Sequence, residues 1–538
     1  MSVTRVPVVI VGAGAGGLTA SALLARYGVR SLLVEKRDEV FIYPKARNLS
    51  FRSLEILREL GLADEVHAVA DGVSDMLGKP ALNSAEQWQA FDSEAMFGPF
   101  SEVSPEPGGQ YCPQSAFEPM LLRLIRSGES EARYGTELCS LEQDDAGVTA
   151  TVRQRDSGVT ETVRADYLVA ADGVHSPVRN ALDITTTGYG ALPIYVVFIY
   201  FRAPWRKFVP ELGDGDAVQV TNADVDGIFL PVRDDFGMFI TTYFPPEGDS
   251  AEQFTAQHCR DVLTKAIGEP IDVDVIDVAP WQPYEQVADQ FLSGRVFLVG
   301  DSAHTMPPFK AGGANTAIQS AHNLAWKLAA VLDGTADPAL LATYQDERHP
   351  VGRFNARQSL TGPALQFLRL DDNHPKLPAD EEAPMFDLLI GYQYRSAAIV
   401  FEGGTPGNSD ALWVVDELRA QPGTRVPHVW VHSGGRRVST LDLVGPGFTL
   451  FTGPSGADWA TAVDAVSATM DVPISVHSIG DGEIDDSDGA WPHLTGLTPD
   501  EALLVRPDGF VAWRSGPPPP SPEDRLGEVL RQILGRRR

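Results

Sequence analysis

Cysteine is scarce in this chain, with three among 538 residues. Cys112, Cys139 and Cys259 are scattered, with no CxxC pair and no metal-ligand spacing. That excludes a disulfide-stapled secreted scaffold and fits a reducing compartment. Long apolar runs are missing as well. No stretch approaches the roughly 18 apolar residues needed to span a bilayer. A strand pattern near Val6 leaves little room for a secretory signal, so the expected setting is cytoplasmic, away from membranes. Positive charge is also short: 43 Lys and Arg face 73 Asp and Glu, a net charge of −30. Phosphate backbones would be repelled, so nucleic acid is not an expected partner. The composition that remains, 43% hydrophobic and 22% charged, is that of a globular chain long enough for about two to four domains.

Val6–Val11 is a short apolar run, glycines follow, and a helical pattern extends from about Leu18 to Arg26. Ser31–Glu35 returns as a strand, which makes a βαβ opening. Helices are expected at Phe51–Leu60, Phe117–Ile125 and Ala314–Leu332. Strands are expected at Val148–Arg153, Thr160–Arg164, Tyr167–Ala171 and Arg295–Gly300. Between about Thr185 and Pro283 the chain turns β-rich, with runs at Tyr195–Phe201, Asp226–Val232 and Gly237–Phe244 that predict a sheet of their own. Two β-like runs, Thr449–Thr452 and Ala502–Val505, lie in a Gly- and Pro-containing C-terminal region.

The glycines of the opening form GxGxxG at Gly12, Gly14 and Gly17, between a strand and a helix. Gly12 permits the tight turn, Gly14 lets a pyrophosphate approach the backbone, and Gly17 lets the helix pack closely. Glu35 ends the next strand, where a carboxylate can accept from ribose hydroxyls. An acid here repels a 2′-phosphate, so NADP does not suit this cradle. The fingerprint alone leaves NAD and FAD both open.

Two later segments bear on that choice. Tyr167-Leu-Val-Ala-Ala-Asp172-Gly173-Val-His-Ser176-Pro-Val-Arg179 resembles the DG motif of flavoprotein hydroxylases, and Gly300-Asp301-Ser302-Ala303-His304-Thr-Met-Pro307-Pro308 resembles their GD motif. With the fingerprint they resemble the class A flavoprotein aromatic monooxygenases, of the para-hydroxybenzoate hydroxylase type. Tyr344–Arg353, Leu388–Ser396 and Arg506–Arg514 further resemble the hydroxylases of aromatic polyketides, such as those acting on aklavinone and angucyclines.

The resemblance implies an α/β fold in which a discontinuous Rossmann-like FAD-binding domain, residues 1–184 and 286–405, carries an inserted β-sheet substrate domain at 185–285. Residues 406–538 would form a thioredoxin-like domain, without redox cysteines because Cys259 is the last. It implies FAD as cofactor, NADPH or NADH as co-substrate, and O2 and a small aromatic molecule as partners, in a monomer or homodimer. Oxygen would be transferred to a phenolic ring from a flavin C4a-hydroperoxide, and the extra domain favours a polycyclic polyketide over a single-ring phenol.

Carried over by position, Asp301 would bond the ribityl chain, and Asp172 and Gly173 would link the flavin and nicotinamide sites. Pro307 and Pro308 would stiffen the loop beside the isoalloxazine. Gly312, Gly313, Asn315 and Thr316 would present a helix start to the flavin pyrimidine. Gln114 and Lys36 would contact the cofactor. Lys45 stands where the family often has Arg beside the pyrophosphate, and Arg47 is the candidate to supply the missing fork. Lys310 and Ala311 replace frequent glycines in the loop before the helix. For the substrate side, Arg395 is the candidate to stabilise a phenolate, while His304 reads as scaffold more than proton carrier. Tyr195, Phe198, Tyr200, Phe229, Phe239 and Tyr243 either line an apolar chamber or form core. A Baeyer–Villiger oxygenase, a flavin dehydrogenase or reductase, and a non-catalytic flavoprotein are the alternatives.

Overall fold

A computed structural model describes residues 3–536 apart from 41–45, 71, 73–74, 92–99, 101, 246–247, 363–375, 378, 405–410, 481 and 518. The βαβ opening is β1 (Val3–Val11), α1 (Ala15–Arg26) and β2 (Ser31–Val34). Thr160–Ala170 forms one strand through both predicted runs. It pairs parallel with β1, and the strand Val296–Leu298 pairs parallel with it. The order across this sheet is 292–293, 296–298, 160–170, β1, β2 and 131–133. Val8, Val9, Ile10, Leu32, Leu33, Leu168 and Val169 are all but closed to solvent, as expected for strands covered on both faces. One covering helix is α1, and the long helix Gly312–Leu332 packs against α1.

The second sheet takes the β-rich block in antiparallel pairs, and it draws further strands from outside the expected 185–285 boundaries. Met76–Lys79 pairs parallel with Ala217–Thr221, and Trp88–Phe91 closes the edge. Short strands far away in sequence leave no local signal of their partner. Period-2 alternation sorts this sheet's aromatics. Phe229 and Phe239 are sealed in a core with Phe201, Trp205 and the helix Ala256–Ile267, their ring centroids 4.6 Å apart. Tyr243 packs on that side, and Tyr195 leans on Tyr243 at 5.5 Å. Phe198 and Tyr200 point to the opposite face. The six aromatics therefore do not share one chamber.

The third sheet runs 436–439, 430–433, 484–485, 474–480, 448–452, 502–505 and 511–514. Phe448–Thr452 and Ile474–Gly480 are parallel around the helix Ala457–Met470, and Ala502–Val505 and Val511–Arg514 add antiparallel. Its helices bury Trp459, Val463, Leu526 and Leu530 in a core that also takes in Trp326 and Leu340 of the first unit. No helix among the described residues is long and apolar enough to cross a membrane.

Candidate active site

The parallel strands of the first sheet end along one edge, where Gly12, Glu35, Asp172 and Asp301 each follow a strand. Ligands of open α/β sheets bind at the carboxyl ends of the strands. Gly12 turns there with φ +104°, and a Cβ on it would sit 2.2 Å from Ala171 O. A Cβ on Gly17 would sit 2.0 Å from Gly12 O, so the helix start presses directly onto the turn. Gly14 has no atom within 4 Å of such a position. Its face of the loop is open, as an incoming phosphate requires.

Glu35 is buried beside this loop. One carboxylate oxygen accepts from Ala13 N at 2.8 Å, and the other accepts from Arg37 N and Nε at 2.9 and 3.0 Å. Burial alone would raise its pKa, but the Arg37 and Ala13 bonds outweigh it and hold the carboxyl below its usual range. Lys36 is exposed, and its carbonyl accepts from Arg155.

Asp172 follows the 160–170 strand, yet its carboxylate is engaged locally. It accepts from Ser176 Oγ at 2.6 Å and from Val178 N at 2.9 Å, which start a short helix. Burial raises its pKa. Asp301 stands exposed at the same edge, in the 3-10 turn Gly300–Ser302.

The long helix begins behind Pro307 and Pro308. Ala311, before its first residue, takes the left-handed conformation with φ 50°, and no side chain caps the helix. The N–H groups of its first turn are thus left to a ligand or solvent, Gly313 among them. The side chain of Asn315 is fully used. Its Oδ1 accepts from Ser50 N and Ser53 Oγ at 2.9 and 2.6 Å, and its Nδ2 donates to Asn48 O and Ala311 O. Thr316 Oγ1 accepts from Asn355 Nδ2. Both side chains brace the helix start, and that of Asn315 has nothing left for a cofactor. Gln114 likewise braces: it donates to Glu118 and its Oε1 accepts from Ala46 N.

Two candidates have their contacts away from this loop. Arg47 turns one nitrogen of its guanidinium toward the second sheet. Its Nη2 donates to the carbonyls of Asp214, Gly215 and Asp216 at 3.2 to 3.4 Å, and its guanidinium lies over Tyr111. It ties the first unit to the second sheet. Lys45, the residue whose missing fork Arg47 was expected to supply, lies outside the described residues.

Arg395, the candidate for the substrate side, stands beside Trp413. Its guanidinium stacks on Trp413, 3.3 Å from the ring centroid, and it lines a cavity with Asp346, Gln393 and Tyr394. A different cavity lies against Gly312, lined by Met306, Lys310, Gln319, Asn355 and Leu388. The two share no lining residue.

His304 is sealed, 5.8 Å from the Phe291 ring, and burial pushes its pKa down to about 3, with Arg348 adding to the effect. It is scaffold. Gln319, Arg348 and Asn355 carry no motif. Their signal was polar side chains recurring on the helix faces that the apolar pattern marks as buried.

Residues 5–359 match the family model of the FAD binding domain, and residues 419–537 that of the aromatic-ring hydroxylase C-terminal region. The chain belongs to the FAD-dependent aromatic-ring hydroxylases. It is 38% identical over 568 residues to tetracenomycin A2 monooxygenase-dioxygenase of Streptomyces glaucescens, covering 100% of this chain and 98% of that one. It is 36% identical over 550 residues to 4-methyl-5-nitrocatechol 5-monooxygenase of a Burkholderia species, covering 99% and 98%. Aklavinone-11 hydroxylase, solved with FAD and aklavinone, superposes with a TM-score of 0.88 at 33% identity over the full length of both chains. The pinched turn, open Gly14 face and uncapped helix of this hydroxylase agree in shape with that membership.

Proposed function

We propose that this hydroxylase inserts one oxygen atom from O2 into a polycyclic aromatic polyketide, using NADPH or NADH as reductant. The observation that carries the reading is the meeting of the cradle edge, the uncapped helix start and an apolar wall. That wall joins Phe198, Ile240, Leu192 and Leu360 to Phe309 of the flavin-side loop. Bound FAD would supply electron transfer from the nicotinamide and activation of oxygen.

The protein's own groups do the rest. The backbone around Gly14 binds the pyrophosphate, Glu35 accepts from a ribose, and Asp301 accepts from the ribityl hydroxyls. The free N–H groups at Gly312 and Gly313 favour negative charge on the ring edge they face, by about 0.3–1 kcal/mol and up to ~2 when partly buried. Phe309 and the apolar wall hold a flat ring system and keep water away from the reacting face. We read residues 430–536 as a thioredoxin-like unit, on its parallel strand–helix–strand and two antiparallel strands. It has no cysteine, so its role is support.

A single-ring phenol is the second reading, favoured by the similarity to the nitrocatechol monooxygenase. Steady-state turnover of hydroxyanthraquinones and one-ring phenols, followed by nicotinamide oxidation and product mass, decides between them. Gain of one oxygen on a polycyclic substrate, with its ring skeleton intact by NMR, is expected. Nicotinamide oxidation that only adds or removes hydrogen would make the enzyme a dehydrogenase. Protein whose spectrum and melting ignore added FAD would sink the cofactor assignment independently of activity.

A further inference from the structure

Two buried amides beneath the 306–312 loop each keep one group unused. Asn355, on the helix Thr343–Gln358, donates Nδ2 to Thr316 Oγ1 at 3.0 Å and to Leu388 O at 3.4 Å. A backbone carbonyl only accepts, so this bond fixes which end of the amide is nitrogen. Asn355 Oδ1 is then left without a partner in a side chain that is 5% exposed.

Gln319 is oriented by the opposite logic. Arg348 only donates, and its Nη1 reaches the Tyr392 hydroxyl at 3.4 Å. That hydroxyl therefore sends its own proton to Gln319 Oε1, at 2.9 Å. Gln319 Nε2 is turned the other way and has no hydrogen-bond partner among the described residues; the residue is also 5% exposed.

Both amides line the cavity against Gly312, whose other walls include Met306, Leu388 and Leu389. Leaving a buried acceptor such as Asn355 Oδ1 unmet is destabilising. A flat ligand whose edge carries one donor next to one acceptor would satisfy both amides. We propose that Gln319 and Asn355 are specificity-determining residues that read a phenolic hydroxyl flanking a ring carbonyl. The hydroxyl donates to Asn355 Oδ1, and the carbonyl accepts from Gln319 Nε2. The inference rests on the polycyclic-substrate reading above and names the polar edge that such a substrate presents.

The test is a titration of FAD-loaded enzyme with 1,8-dihydroxyanthraquinone and with its dimethyl ether, read by perturbation of the flavin absorbance. Two variants are compared with wild type. Asn355→Leu removes the acceptor, and Gln319→Glu still accepts from Tyr392 but faces the ligand carbonyl with a carboxylate oxygen. Each should weaken the dihydroxy compound roughly tenfold, change the ether by no more than about twofold, and leave FAD affinity unaltered. Parallel loss for both compounds, or no loss for either, overturns the proposal: the wall then holds water or only packs. A fall in FAD affinity instead assigns the amides to the flavin's own N–H and carbonyl edge, and overturns it equally. If wild-type holoenzyme binds neither compound, the polycyclic reading has failed and takes the subsite with it. Binding by wild type that the variants do not disturb sinks the subsite alone.

Discussion

Arg506 forks onto Glu347 at 2.6 and 3.0 Å, across 159 residues of sequence and with both side chains closed to solvent. Lys327 donates to the same carboxylate at 2.7 Å, and Asp508 gives Arg506 a second anion. Two cations and two anions thus balance inside the joint between the long helices and the C-terminal sheet. Burial alone would raise the Glu347 pKa, but Arg506 and Lys327 hold it well below the carboxylate range.

Removing one member of such a cluster strands the others. Glu347→Gln should therefore destabilise the protein by about 3–5 kcal/mol, seen as a large fall in melting temperature. Lys207→Ala, which breaks an exposed 3.6 Å pair with Glu269, should leave melting unchanged. Equal effects from the two would show that the buried cluster contributes no more than a surface pair.

The two cradle glycines should separate folding from cofactor binding. Gly12→Ala places a methyl 2.2 Å from a backbone carbonyl at φ +104°, so the apoprotein itself should melt lower. Gly14→Ala meets no protein atom, so the apoprotein should melt as wild type does. Its methyl projects where the pyrophosphate must approach, so FAD affinity should drop at least tenfold, about 1.4 kcal/mol. Fluorescence titration with FAD and melting of the apoprotein distinguish the two. A Gly14→Ala variant that binds FAD normally would place the phosphates elsewhere.

The cradle was legible in the sequence because its logic is local. Gly12, Gly17 and Glu35 sit in one βαβ unit, and Gly17 and Glu35 answer to contacts within it, with Gly12 O and Ala13 N. Asp301 follows its strand by the same rule. The contacts of Arg47 were not legible, because its partners, the carbonyls of 214–216, lie in another sheet, and no spacing reports such a contact. The edge strands at 76–79 and 88–91 were missed for the same reason. Phe198 and Phe239 look alike in a strand pattern, but only pairing register shows that one faces the flavin-side loop and the other the helical core.

His304 and His428 predict the acid limit of stability. Burial pushes them to about 3 and about 4, from a usual 6.5. A histidine held neutral in the fold binds its proton more readily once unfolded. Stability is therefore full above pH 6.5 and falls as the pH drops toward the folded value, by about 1.4 kcal/mol per unit for each such group. His304→Gln removes one of the two, so its melting temperature should fall less steeply than wild type between pH 6.5 and 5. Identical slopes would mean that His304 is already charged in the native protein.

Arg395 provides the sharpest contrast between a motif and a place. Its neighbours Tyr392 and Tyr394 hold Arg348 in the wall behind Gln319, so the segment does border the candidate site. Arg395 itself alternates to the other side, and the Trp413 ring covers its guanidinium. An exposed stack of this kind contributes about 0.5–1 kcal/mol. Arg395→Ala should thus leave kcat and KM for the aromatic substrate within about twofold, a change of roughly 0.4 kcal/mol. The half-exposed indole should report the loss as a change in tryptophan emission. A hundredfold fall in kcat with unchanged emission would return Arg395 to the substrate and displace the cavity at Gln319 and Asn355 as the place where the ring is held.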